Sequence, residues 1–286
     1  QSDIQSFRDT HICLTNGLSA PTVLCLHQGQ KSDYIWIGTD GEGLNRFDPK
    51  KSKFIHYNST FKKKIVSIAD YSQNELVLSV FAENLWIFNK ESGEIRPLPI
   101  NDPTFLYKIR HSGRNFNIYN EADGDLLFFA NSIYRYDKNT GLCPVITDNT
   151  NKKSNYGIIG RNSAGVWLHN NTNIYLLEDD SNQLIFKGMH ENGDIRCGHL
   201  GANDIIYLAT DEGLCSFDIN AKTFNHFQTV LFSDANSVVC DNDSRVWVGT
   251  EQGLAAYLIE SETFTLFDES DGIENNECSK NRNIRF

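Results

Sequence analysis

The sequence is short of several things. It has one methionine and six prolines. It holds no apolar run of the ~18 residues that a membrane-spanning helix needs, so no span and no membrane contact is expected within it. Its first residues, QSDIQSF, lack the basic and apolar regions of a secretory signal. The chain therefore reads either as cytosolic or as a mature or excised piece of a longer protein. Positive charge is scarce as well: 26 Lys and Arg stand against 37 Asp and Glu, a formal net charge of −11. Sequence-independent nucleic-acid binding needs cations against phosphate, and docking on anionic lipid needs the same, so both are disfavoured. No Walker loop, GxSxG, HExxH or GxGxxG motif occurs. No catalytic residue and no cofactor is expected.

The seven cysteines, at positions 13, 25, 143, 197, 215, 240 and 278, are odd in number and scattered, with no CxxC pair. They form neither a disulfide framework nor a zinc signature, and no metal site is expected from them.

What the chain does have is a repeat. VWVGTEQGLAAY (246–257) and IWIGTDGEGLNRFD (35–48) are nearly the same phrase at opposite ends of the sequence. Aligned on the tryptophan, weaker copies fall into place between them. The anchors are Trp36, Val77, Leu127, Trp167, Tyr207 and Trp247, so successive copies lie 41, 50, 40, 40 and 40 residues apart. Each copy has four short runs rich in β-branched and aromatic residues, separated by polar or glycine-bearing turns. In the last complete copy the runs are NSVVCD, RVWVGT, GLAAYLI and TFTLFD. Four antiparallel strands per unit of about 40 residues is the pattern of a propeller blade.

The expectation is an all-β single domain over 1–286, a seven-bladed β-propeller of four-stranded antiparallel blades. The blades are expected at about 21–57, 63–98, 116–147, 156–188, 194–227 and 236–268, with a seventh from 275–286 and 1–14. The N-terminal strand would close that last blade, which is one strand short. On the innermost strands, Cys25, Ala69, Gly160, Cys197 and Cys240 are small residues where blades crowd together, and Asn120 breaks the rule.

The phrases VVCDNDSRVWVGTEQGLAAY and IWIGTDGEGLNRFDPKKSKFIHY resemble the two-component regulator propeller repeat. TNGLSAPTV (15–23) and SDGIENNE (270–277) resemble its inter-blade connector. The resemblance covers nearly the whole chain, with two strong copies, two moderate and two degenerate. It implies a periplasmic sensor propeller of a hybrid two-component histidine kinase of Bacteroides type. Such a receptor implies further domains, a homodimer, and detection of glycan-derived oligosaccharides. No kinase signature lies in these residues, so this piece is not expected to be an enzyme. A protein-interaction scaffold and a propeller lyase or hydrolase, as in streptogramin lyases, are the alternatives.

Binding residues are expected at the second-hairpin turns and the connectors, which a propeller gathers on one face. The candidates are Asp40, Phe81, Glu83, Tyr156, His169, Asn170, Asp211 and Glu251. Aromatic platforms with amides and carboxylates suit sugar hydroxyls. His169 stands out because it replaces the glycine of WxGT; a satisfied structural residue is the alternative. Lys62, Lys63 and Lys64 are the only basic run, able to meet an acidic glycan if they share that face. The runs from Glu121 to Asp125 and from Asp241 to Asp243 look faintly calcium-like, but they occupy the first-hairpin turn, where Asp serves the backbone. His56 and His226 share an outer-strand position and are expected to be exposed.

Overall fold

The computed structural model describes residues 17–29, 33–57, 61–111, 116–121, 124–129, 132–146, 156–179, 183–191, 193–241, 245–273 and 284–285. These fall into two compact units. One spans Ile12–Tyr156 with Asn283–Phe286, and the other spans Gly157–Arg282 with Gln1–His11.

The first unit contains three blades. Blade 1 is β1 (Val23–His27), β2 (Ile35–Thr39), β3 (Leu44–Asp48) and β4 (Lys53–His56). Blade 2 is β5 (Ile65–Ser72), β6 (Glu75–Val80), β7 (Leu85–Asn89) and β8 (Ile95–Pro97). A helix, α1 (Pro103–His111), leads to blade 3, formed by β9 (Asn117–Asn120), β10 (Leu126–Phe129), β11 (Ile133–Asp137) and β12 (Gly141–Ile146).

The second unit contains three more. Blade 4 is β13 (Gly157–Asn162), β14 (Gly165–Asn170), β15 (Asn173–Glu178) and β16 (Leu184–Met189). Blade 5 is β17 (Ile195–Leu200), β18 (Ile205–Thr210), β19 (Gly213–Asp218) and β20 (Thr223–His226). Blade 6 is β21 (Ser237–Cys240), β22 (Arg245–Gly249), β23 (Leu254–Leu258) and β24 (Thr263–Phe267). Every blade is an antiparallel meander with its strands in sequence order.

The blade count corrects the sequence expectation: the described residues make six blades, not seven. The last described strand, β25 (Ile284–Arg285), does not start a hairpin of its own. It pairs parallel with β1, Leu26 opposite Ile284 and His27 opposite Arg285, and so widens blade 1 to five strands. A parallel partner cannot be reached by a tight turn, which is why hairpin spacing gives no sign of it. Residues 1–14 and 275–283, assigned to the seventh blade, lie outside the described residues.

The motif now has a physical reading. Its threonine closes the second hairpin: Thr39, Thr210 and Thr250 are buried, and each donates its hydroxyl to the glycine carbonyl across the turn, at Gly43, Gly213 and Gly253, over 2.8–2.9 Å. Its closing Asp or Asn makes the third turn. Asp48, Asn89, Asp137 and Asp218 each accept two backbone N–H groups from the residues two and three further on. The first-hairpin polar residue serves the anchor tryptophan. Trp247 Nε1 donates to Asp241 at 2.8 Å and Trp167 Nε1 to Asn162 at 3.1 Å. Asp241 also takes Arg245, and Glu121 takes Arg135 through two bonds. Of the acids that look calcium-like, Glu121 and Asp241 are therefore engaged by arginine, and Asp123 and Asp243 lie outside the described residues.

The six inner-strand positions all fall on first strands, but not at one register. Ala69 and Gly160 face their anchors Val77 and Trp167, whereas Cys25 and Cys197 face Gly38 and Ala209, two residues past theirs. In blades 1 and 5 the residues that face the anchors are instead His27 and His199, two further along the first strand. Both cysteines use that offset in the same way: Cys25 Sγ donates to Ile65 O at 3.4 Å and Cys197 Sγ to Val238 O at 3.9 Å, each on the next blade's inner strand. Ser67, at the equivalent place in blade 2, accepts from Ile118 N at 3.1 Å.

The 50-residue spacing between the second and third anchors is explained by α1. Asp102 caps it, accepting from Thr104 N and Phe105 N, and Pro103 opens it. Phe105 and Ile109, one turn apart, are buried in the blade 2–blade 3 core with Phe116, Phe128 and Tyr134.

Candidate functional site

In each unit the connectors thread onto the second-hairpin turns. In the first unit Asp40 N donates to Thr22 O, Gly43 N to Lys63 O and Phe81 N to Lys64 O. In the second, Ile195 N donates to Asn171 O and Asp211 N to Asp194 O; Ala235 N and Asn236 N bond Thr210 O and Gly249 O. Turn and connector therefore form one edge within each unit, and the candidate residues sit along it.

In the first unit this edge brings three candidates together. Lys64 pairs with Asp40 at 2.7 Å and lies 5.9 Å from the Phe81 ring, while Lys63 pairs with Glu83 at 2.6 Å. Lys62 pairs with Glu42 at 3.3 Å. The basic run does lie beside the turns, but each lysine already has a carboxylate, which leaves it a poor lure for an acidic ligand. Tyr156, the fourth candidate of this unit, is buried just ahead of blade 4.

In the second unit His169 and Asn170 end β14, and both are buried. The WxGT of the strong copies reads Trp-Leu-His-Asn here, so the turn-closing threonine is lost along with the glycine. The added bulk is absorbed across the ladder. His169 faces Gly157, where a Cβ would come within 2.1 Å of the imidazole Nε2. Blade 6 solves the same position the other way, with Ser237 facing Gly249. Among the described residues neither His169 Nδ1 nor Asn170 Oδ1 has a hydrogen-bond partner. A buried polar atom left without one costs about 1–3 kcal/mol. Asp211 and Glu251 are exposed on the turns of blades 5 and 6, and Asp211 reaches the Asn171 turn through the 194–195 connector.

Burial lowers the His169 pKa to about 4, so the ring is neutral at pH 7. A histidine depressed on folding supplies stability that is complete above its unfolded value of 6.5 and lost as pH falls towards 4. Wild type is expected to lose about 2 kcal/mol more than His169→Gln between pH 7 and pH 5. Urea unfolding at both pH values measures the difference. Equal losses would show that the ring is not desolvated.

Sequence reasoning missed two features of this unit. Arg196 Nη1 binds Asp234 Oδ2 and Asn236 Oδ1, both at 2.7 Å, and so ties one connector to the next. His226, expected to be exposed, is half-buried against His190, with ring centroids 5.0 Å apart. Neither carries a local motif; both depend on which blade edges meet.

With this geometry the fold is that of a β-propeller, and comparisons with known proteins agree on that fold. No family model matches the chain. A curated protein named histidine kinase P4, from Formosa agariphila, is 22% identical over 90% of the chain, which spans 20% of that kinase. The extracellular domain of the hybrid two-component system BT3049 from B. thetaiotaomicron superposes with a TM-score of 0.69 at 18% identity, covering 95% of this chain and 38% of that one. A virginiamycin B lyase from Staphylococcus aureus, solved with quinupristin, gives a TM-score of 0.70 at 13% identity, covering 91% and 87%. The resemblance read from the repeats is thus found again both in sequence and in fold. Among the described residues no helix is long and apolar enough to cross a membrane.

Proposed function

We propose that this chain is the extracytoplasmic, ligand-sensing propeller of a two-component signalling receptor. It lies in the periplasm, binds glycan-derived oligosaccharides, and relays occupancy through further receptor domains, as a homodimer, to a histidine kinase. Support for the receptor comes from the repeat and from relatives of which this chain is only a part. The observation that carries the binding role is the pair of buried, unpartnered polar atoms, His169 Nδ1 and Asn170 Oδ1, at the blade whose turn abandons the Gly-Thr motif. Both groups are uncharged, and the turn residues Asp211 of blade 5 and Glu251 of blade 6 are acidic. Hydroxyls of a neutral sugar suit such an edge better than an anion does.

The lyase neighbour shares the fold, and a fold alone does not assign an activity. Calorimetry of the purified chain against a panel of neutral and uronate-bearing oligosaccharides tests the proposal. One neutral saccharide is expected to bind without being consumed. Binding of none, with a stable dimer in solution, would favour an interaction scaffold. Turnover of a saccharide would favour an enzyme.

A further inference from the structure

Strand register assembles three metal-binding side chains in the second unit. Cys215 on β19 faces His226 on β20 across the blade 5 ladder. His190, just past β16 of blade 4, reaches the same place. One ligand atom from each residue, a ring nitrogen of either histidine and the Cys215 sulfur, lies within 4.8 Å of the other two. Cys215 and His190 are fully buried and His226 is half-buried.

The protonation pattern suits metal ligation. His190 Nδ1 lies 2.9 Å from Gly193 O. A carbonyl only accepts, so Nδ1 carries the proton and Nε2 carries the lone pair. That Nε2 is buried and, among the described residues, has no hydrogen-bond partner. A metal-bound histidine has the same arrangement, its outer N–H held by a backbone carbonyl.

The other blades provide a comparison. The two facing positions are Trp86 and Pro97, Tyr134 and Pro144, Tyr175 and Phe186, and Ala255 and Leu266 in blades 2, 3, 4 and 6. Apolar packing is what the position ordinarily holds. Blade 1 has Asn45 and His56 instead, and closes them with hydrogen bonds: His56 Nδ1 to Asn45 Oδ1 at 2.6 Å, and Asn45 Nδ2 to Ser19 Oγ at 2.8 Å. In blade 5 cysteine replaces the amide and histidine replaces the serine. Among the described residues no hydrogen bond joins the three side chains.

We propose that His190, Cys215 and His226 bind a thiophilic transition-metal ion, zinc(II) in the first place. Two neutral nitrogens and one thiolate match its preferences, with a fourth position left for the Glu212 carboxylate or water. On binding, Cys215 releases its proton to solvent as the Zn–S bond forms. Zn–S and Zn–N bonds of about 2.3 and 2.0 Å require the ligand atoms to draw roughly 1 Å closer. Rotation of the half-buried His226 ring supplies that movement. The ion would join the outer edge of blade 4 to blade 5.

The test uses the purified chain, stripped with a chelator and titrated with zinc chloride by calorimetry, with cobalt(II) as a spectroscopic probe. One ion per chain is expected, with thiolate-to-cobalt charge-transfer absorption. Cys215→Ala should abolish that absorption and weaken zinc binding on the order of 100-fold. Alanine already occupies this register at Ala255, so the fold should tolerate it. His226→Gln, nearer the surface, is the second variant and should also weaken binding. A wild-type chain that takes up no stoichiometric ion, or variants that bind as tightly as wild type, would overturn the proposal.

Discussion

Gly253→Ala is expected to destabilise the protein by about 3–5 kcal/mol, whereas Gly213→Ala, at the same place in the preceding blade, should cost only about 1–2 kcal/mol. Both glycines follow the second hairpin turn and both have positive φ, +142° at Gly253 and +100° at Gly213. The backbone conformation alone therefore penalises any side chain at either. The difference lies in the space available. A Cβ at Gly253 would stand 2.2 Å from the backbone oxygen of Phe267, a strand atom that cannot swing away. At Gly213 the first atom met is Ser233 O at 3.8 Å, an ordinary contact. Urea denaturation of the two variants measures both losses. Equal losses would show that φ, not the close approach of β24, decides the role of the motif glycine.

Arg135→Met is expected to remove roughly 2–4 kcal/mol, a figure reduced for the partial exposure of the arginine. Glu121 is buried, its side chain 4% exposed, and the guanidinium holds both of its oxygens, at 2.8 and 3.1 Å. Taking away the cation strands a carboxylate in the first unit with little water to replace it. The second substitution Glu121→Gln, added to Arg135→Met, should recover most of the loss because it removes the uncompensated charge. A double-mutant cycle gives the coupling directly. If Arg135→Met costs less than about 1 kcal/mol, the pair is wetter than its burial implies.

The blades were legible from the sequence because their signals are local. A threonine that closes a turn, an aspartate that takes two backbone N–H groups and a glycine at positive φ each leave a fixed residue at a fixed offset, and Trp36 and Trp247 mark the register. The number of blades was not legible, because Ile284 and Arg285 choose a parallel partner about 260 residues away rather than a hairpin. The helix α1 showed itself only as an over-long spacing; its two buried residues, Phe105 and Ile109, are too few to make a periodicity. At the candidate site, His169 was visible as a break in the motif. That Gly157 makes room for it was not, since strand pairing lies between the two. The lysine run was misleading in isolation because Asp40, Glu42 and Glu83 come from two different turns. The grouping of His190, Cys215 and His226 needs one strand pairing and one contact between blades, and neither writes a spacing into the chain.

On the proposed function, the departures of blade 4 from the repeat create a binding edge. Calorimetry of the saccharide that binds wild type, repeated on a variant whose blade 4 is rebuilt in the image of blade 6, tests it most directly. Gly157→Ser, His169→Gly and Asn170→Thr together copy Ser237, Gly249 and Thr250, a set the fold already accommodates. The rebuilt variant is expected to keep its unfolding midpoint at pH 7 and to lose saccharide binding by at least about 100-fold, equivalent to roughly 2.7 kcal/mol. Undiminished binding by the rebuilt blade would contradict it.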